Sequence, residues 1–155
     1  MAQAITYVVT PVKDLYPSEV KGLAFLHSPE DAQLDALKTY DALGKKVQQN
    51  LKNRFDYWVR GGVRDDYFHG WRDLQNRECF AFKWKQKAQR HRFYGFLINP
   101  RPRTAARFRV CILVSHAQKN TEHTDPAELK RANLLRQKAE VIEAIKKAYP
   151  ELDLH

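Results

Sequence analysis

Three stretches decide the fold: CFAFKWK at residues 79–85, HRFYGFLI at 91–98 and FRVCILVSH at 108–116. Successive side chains of a strand point to opposite faces. In the first stretch this puts Phe80, Phe82 and Trp84 on one face and Cys79, Ala81, Lys83 and Lys85 on the other. The second groups Arg92, Tyr94, Phe96 and Ile98, and the third groups Phe108, Val110, Ile112, Val114 and His116. Gln86–Gln89 has the length of a hairpin connection, and Asn99-Pro100-Arg101-Pro102-Arg103 is a longer basic loop. The pieces fit an antiparallel meander over residues 78–117.

Working outward, residues 4–9 are rich in β-formers and predict a first strand, inside an N-terminal extension of residues 1–27. Residues 28–55 read as helical. Ser28-Pro29-Glu30-Asp31 has the composition of a helix start, and Leu34, Leu37, Tyr40, Leu43, Val47 and Leu51 recur at helical spacing. Gly44 either separates two helices or weakens one long one. Residues 56–77, with Tyr57, Trp58, Tyr67, Phe68 and Trp71 among turn formers, are either a loop over a binding surface or an irregular connection on the core; the second is favoured. Thr124 or Asp125, then Pro126, opens a last helix over 125–149, with a stripe of Leu129, Ala132, Leu135, Ala139, Ile142 and Ile145. The expected class is α+β in one domain over 1–155: N-terminal helices on a small antiparallel or mixed sheet, closed by a C-terminal helix.

The net charge is +9, and its placement is uneven. Between Glu78 and Glu122 lie Lys83, Lys85, Lys87, Arg90, Arg92, Arg101, Arg103, Arg107, Arg109 and Lys119, with no acid. The rest of the chain is close to neutral. Exclusion of acids suits a phosphate-binding surface, because each nearby carboxylate offsets one contact. Met1–Thr10 lacks the basic and long apolar regions of a signal peptide, and no apolar run approaches the ~20 residues of a membrane span, so a cytoplasmic location is expected. Cys79 and Cys111 have no CxxC spacing and read as small buried apolar residues.

The runs Arg92-Phe93-Tyr94-Gly95-Phe96, Arg109-Val110-Cys111-Ile112-Leu113-Val114-Ser115-His116-Ala117-Gln118-Lys119 and Thr124-Asp125-Pro126-Ala127-Glu128-Leu129 resemble the RelE/HigB-like toxin superfamily. The resemblance covers roughly residues 78–135. Lys119 falls on the second Lys of the family's doublet, Gln118 replaces the first, His116 stands where an aromatic is usual, and Pro126 matches a helix-opening Pro. It implies a RelE-like fold and an mRNA interferase that cleaves free or ribosome-bound mRNA and is neutralised by a small antitoxin protein.

Metal-free RNA cleavage uses the substrate 2′-OH as nucleophile and needs a base, an acid and cations for the pentacoordinate phosphate. The acid-free segment holds no carboxylate pair or ligand cluster, which speaks against a two-metal nuclease, so no metal and no cofactor is expected. The expected catalytic residues are Arg92, His116, Lys119 and Lys85. Lys83, Arg90, His91, Tyr94 and Arg109 are expected to bind RNA, with Trp84 a further stacking candidate and His123 a loop residue. Each has a plainer alternative: a solvated face for Lys83 and Lys85, a structural ion pair for Arg92, a hydrogen-bonded structural role for His116, and the core for Tyr94 and Trp84. Two rival functions keep the basic surface: a nucleic-acid-binding protein without catalysis, and a domain whose basic groove takes an acidic protein segment.

Overall fold

The computed structural model describes residues 5–18, 20–64, 66–119 and 126–150. Among these residues six strands form one sheet: β1 (Val8–Pro11), β2 (Lys21–His27), β3 (Phe68–Gly70), β4 (Cys79–Gln86), β5 (Gln89–Ile98) and β6 (Arg109–Lys119). Their order is β1-β2-β6-β5-β4-β3. Among the described residues only β2 and β6 pair in parallel; every other pairing is antiparallel. A parallel pair needs a long crossover, supplied here by everything between His27 and Arg109. The fold is therefore α+β with a mixed sheet. The meander of β4, β5 and β6 stands where the alternation puts it.

The N-terminal extension does more than precede the fold. Leu23, Ala24, Phe25 and Leu26 of β2 are buried on both faces of the sheet. The helix expected from Ser28 starts later. Ser28 Oγ accepts from the Glu30 N–H and an Asp31 carboxylate oxygen from the Gln33 N–H, so these residues make turns instead of a cap. Two helices follow, α1 (Ala36–Ala42) and α2 (Lys45–Val59), separated at Gly44. The segment 56–77 contains the end of α2 and the short strand β3.

The expected single C-terminal helix is two: α3 (Pro126–Gln137) and α4 (Ala139–Ala148), broken at extended Lys138. Thr124, Asp125 and His123 lie outside the described residues.

Two cores flank the sheet. Phe80, Phe82, Trp84, Phe93, Cys111 and Leu113 pack with Leu51, Phe55 and Trp58 of α2. Cys79, Ala81, Tyr94, Phe96, Val110, Ile112 and Val114 pack with Leu129, Leu135, Val141 and Ile145 of α3 and α4. Both cysteines are buried and unpaired, and burial pushes the Cys79 thiol up to about 11. Among the described residues no helix is long and apolar enough to cross a membrane.

Candidate nucleic-acid interface

The β4–β5 hairpin positions the candidate site. Residues directly opposite each other in an antiparallel pair share a face. Lys83 faces Arg92 and Lys85 faces Arg90, so these four cations share the side on which Ala81 and Tyr94 meet α3. They line a cleft of about 560 Å³ at the outer end of the hairpin, together with Arg54, Asp66, Trp84 and His91. Lys85 is exposed, Lys83 and Arg90 half-buried, and Arg92 only 6% exposed. β3 pairs with β4 only from Phe80 to Phe82, so Lys83 onward is a sheet edge. The Lys83 N–H still reaches the Tyr67 carbonyl at 2.8 Å.

The histidines sit on the other face. His91 lies opposite Trp84 and stacks on its ring at 5.0 Å, and its Nδ1 is 2.9 Å from His116 Nε2. The alternation places His116 with Val110, Ile112 and Val114; the structure corrects this. Tyr94 pairs with Ser115 but Gly95 pairs with Leu113, so Val114 is an extra residue and the strand changes phase. Ser115 turns to α3, where its hydroxyl meets Glu128. His116 turns to Trp84 and Phe93. An Asp35 carboxylate oxygen accepts the His116 N–H at 2.9 Å, satisfying strand backbone beyond the last β2 partner. Burial lowers the pKa of both imidazoles, and His91 lowers that of His116 further. The pair favours the neutral form, with His91 also bordering the cation-lined cleft and His116 set behind it.

No family model, curated protein or solved structure matches this chain.

Other expected site residues fall elsewhere. Tyr94 is fully buried beside Trp71, so it stacks no base, and Trp84 is 5% exposed in the opposite core. Arg109 starts β6, whereas Arg90 pairs with Lys119 at its far end. At about 3.3 Å per residue those ends lie roughly 30 Å apart. Arg109 is engaged there by Glu78 at 3.4 Å, which also meets Arg77 and Arg136. Arg101 and Arg103 belong to that end too, around a second cleft against α4. Lys83, Lys85, Arg90 and Arg92 thus lie at one end of the sheet and Arg101, Arg103 and Arg109 at the other. Of Lys119 the backbone register is described; its side chain lies outside the described residues. Gln118 bonds Gln89 across the hairpin mouth. Sequence reading missed Arg54, whose only signal is its helical register with Leu51 and Phe55 on α2.

Proposed function

We propose that this chain is an RNA-directed protein of the RelE/HigB-like toxin type, a metal-independent endoribonuclease acting on mRNA in the cytoplasm and held in check by a small antitoxin protein. What carries this is the gathering of Lys83, Lys85, Arg90 and Arg92 in one hairpin cleft. Two helices on one face, a meander and a helix opened by Pro126 support the resemblance in their order along the chain.

In such a site the 2′-oxygen attacks phosphorus as its proton leaves, the P–O5′ bond breaks, and the 5′-oxygen gains a proton. The products are a 2′,3′-cyclic phosphate and a 5′-hydroxyl. Lys83, Arg90 and Arg92 offset the charge that grows on the phosphoryl oxygens, with Arg suited to two-point contact. Lys85, the exposed ammonium in the cleft, protonates the leaving 5′-oxygen, and His91, which borders the same cleft and favours the neutral form, takes the 2′-OH proton. His116 is a packing feature of the α2 side, against Trp84 and Phe93.

Purified protein in EDTA should cut mRNA, free or on translating ribosomes, and leave cyclic phosphate ends. Lys85→Ala and Arg90→Ala should each slow cutting by about a hundredfold, within the usual range for one proton donor or charged contact. A second reading, RNA binding without cleavage, is favoured by the placement of His116 outside the cation-lined cleft. Salt-sensitive binding of intact RNA in both assays would select it. Absence of binding at moderate salt would defeat both.

A further inference from the structure

We infer that Arg54 of α2 is a further phosphate-binding residue of the hairpin cleft, held in place by Tyr67; this rests on the RNA reading of that cleft. Arg54 is half-buried and lines the cleft with Lys83, Lys85 and Arg90. Its Nη1 donates to the Lys83 carbonyl at 2.5 Å and reaches the Asp66 carbonyl at 3.5 Å. Its guanidinium carbon lies 4.3 Å from the centre of the Tyr67 ring. These contacts use the two hydrogens of Nη1. They leave Nε–H and Nη2–H, the side-on fork that matches two oxygens of a phosphodiester.

A strand-edge carbonyl needs only a neutral donor, and an amide would serve. A guanidinium there costs desolvation, which lowers the Arg54 pKa. Among the described residues no carboxylate forms an ion pair with Arg54. The nearby Asp66 carboxylate is taken by Arg64, whose Nε and Nη2 donate at 3.2 and 2.9 Å. A half-buried cation with a free fork, facing a cleft lined by four other cations and by an Asp66 already paired with Arg64, has an anion as its natural partner. The Tyr67 ring supplies the platform, since a flat ring fixes a flat guanidinium by stacking. Arg54 is placed by a helix and the other cations by strands, so the cleft is walled by two elements. A phosphate held between them is gripped from the α2 side and from the hairpin.

Fluorescence anisotropy with a 2′-O-methyl oligoribonucleotide, which cannot be cut, tests this apart from catalysis. Arg54→Gln keeps an N–H for the Lys83 carbonyl and removes the charge. It should weaken binding about tenfold, the weight of one charge-assisted contact. It should also lower the slope of log affinity against log salt by about 0.7, the loss of one single-strand phosphate. Tyr67→Leu keeps the charge and should weaken binding with the slope unchanged. Wild-type affinity and slope for Arg54→Gln, with both lost in Arg90→Gln, would overturn the inference and leave the RNA reading standing. Failure of the unmutated chain to bind the oligonucleotide would remove the RNA reading itself. Should Arg54→Gln not fold, Arg54→Lys decides: weaker binding at an unchanged slope supports the fork, and wild-type affinity overturns it.

Discussion

A Cβ at position 95 would lie 2.0 Å from the carbonyl oxygen of Ile112 and 2.8 Å from its carbon. Backbone cannot yield there as a flexible side chain could, so Gly95 is what lets β5 and β6 approach at the bulge. Gly95→Ala should cost about 3 kcal/mol or more, read as a lower denaturant midpoint. The sequence showed the alternation of β6 but not where it slips, because a bulge adds a residue without changing composition. That is why His116 was expected on the wrong face while Val110, Ile112 and Val114 were placed correctly. The slip also sets a pH dependence. His91 and His116 both have folded pKa values below the ordinary 6.5. The unfolded chain then binds more protons once pH falls toward that value, so stability declines from about pH 7 downward until the folded imidazoles also protonate. Melting temperature should fall as pH drops below about 7. His116→Asn should flatten that fall, and an unchanged profile in this variant would remove the pair as its cause.

At the scale of elements, turn and break chemistry was the least legible. Lys87 and Ala88 join β4 to β5 with φ of +51° and +64°. Two left-handed residues make the two-residue turn whose twist matches a hairpin, and Asn-Gly is its usual sequence. Lys-Ala carries no such signal, so the connection was recognisable by its length alone. Each L-residue held there costs roughly 1–2 kcal/mol. The double change Lys87→Asn with Ala88→Gly should therefore stabilise the chain by about 1 kcal/mol, allowing for the entropy Gly adds to the unfolded state. A denaturation curve showing no gain would mean that the hairpin tip is relieved by contacts elsewhere. The break at Lys138 has the same character. Gln137, Lys138 and Ala139 are good helix formers, so a single stripe through Ala139 and Ile142 was the natural expectation. Lys138 instead resets the phase, and α4 buries Val141 and Ile145 while Ala139 stays exposed. Tertiary packing on the sheet, which no local pattern reports, decides it. The parallel partnership of β2 with β6 was hidden for a related reason: it joins residues more than eighty positions apart.

Across the whole molecule the acid-free run is one block in sequence and two clusters in space. Meander strands run back and forth, so charges evenly spread along them collect at both ends of the sheet. Lys83, Lys85, Arg90 and Arg92 collect at the hairpin. Arg101 and Arg103 collect by α4, while Arg109 meets Glu78. A polyanion bound at the hairpin feels only the first group at close range, because the ends are roughly 30 Å apart and salt screens over about 8–10 Å. Neutralising one cation of each group separates the two. Lys85→Gln should reduce the slope of log affinity against log salt by about 0.7 for a single-stranded RNA. Arg103→Gln should leave the slope within error for an oligonucleotide of four residues, which is too short to span the sheet. With an RNA of twenty residues the second variant acquires an effect only if the strand runs on to the α4 end. Equal losses from both variants on the short oligonucleotide would mean that the two clusters act as one diffuse field, and that the hairpin cleft has no special claim on the phosphates.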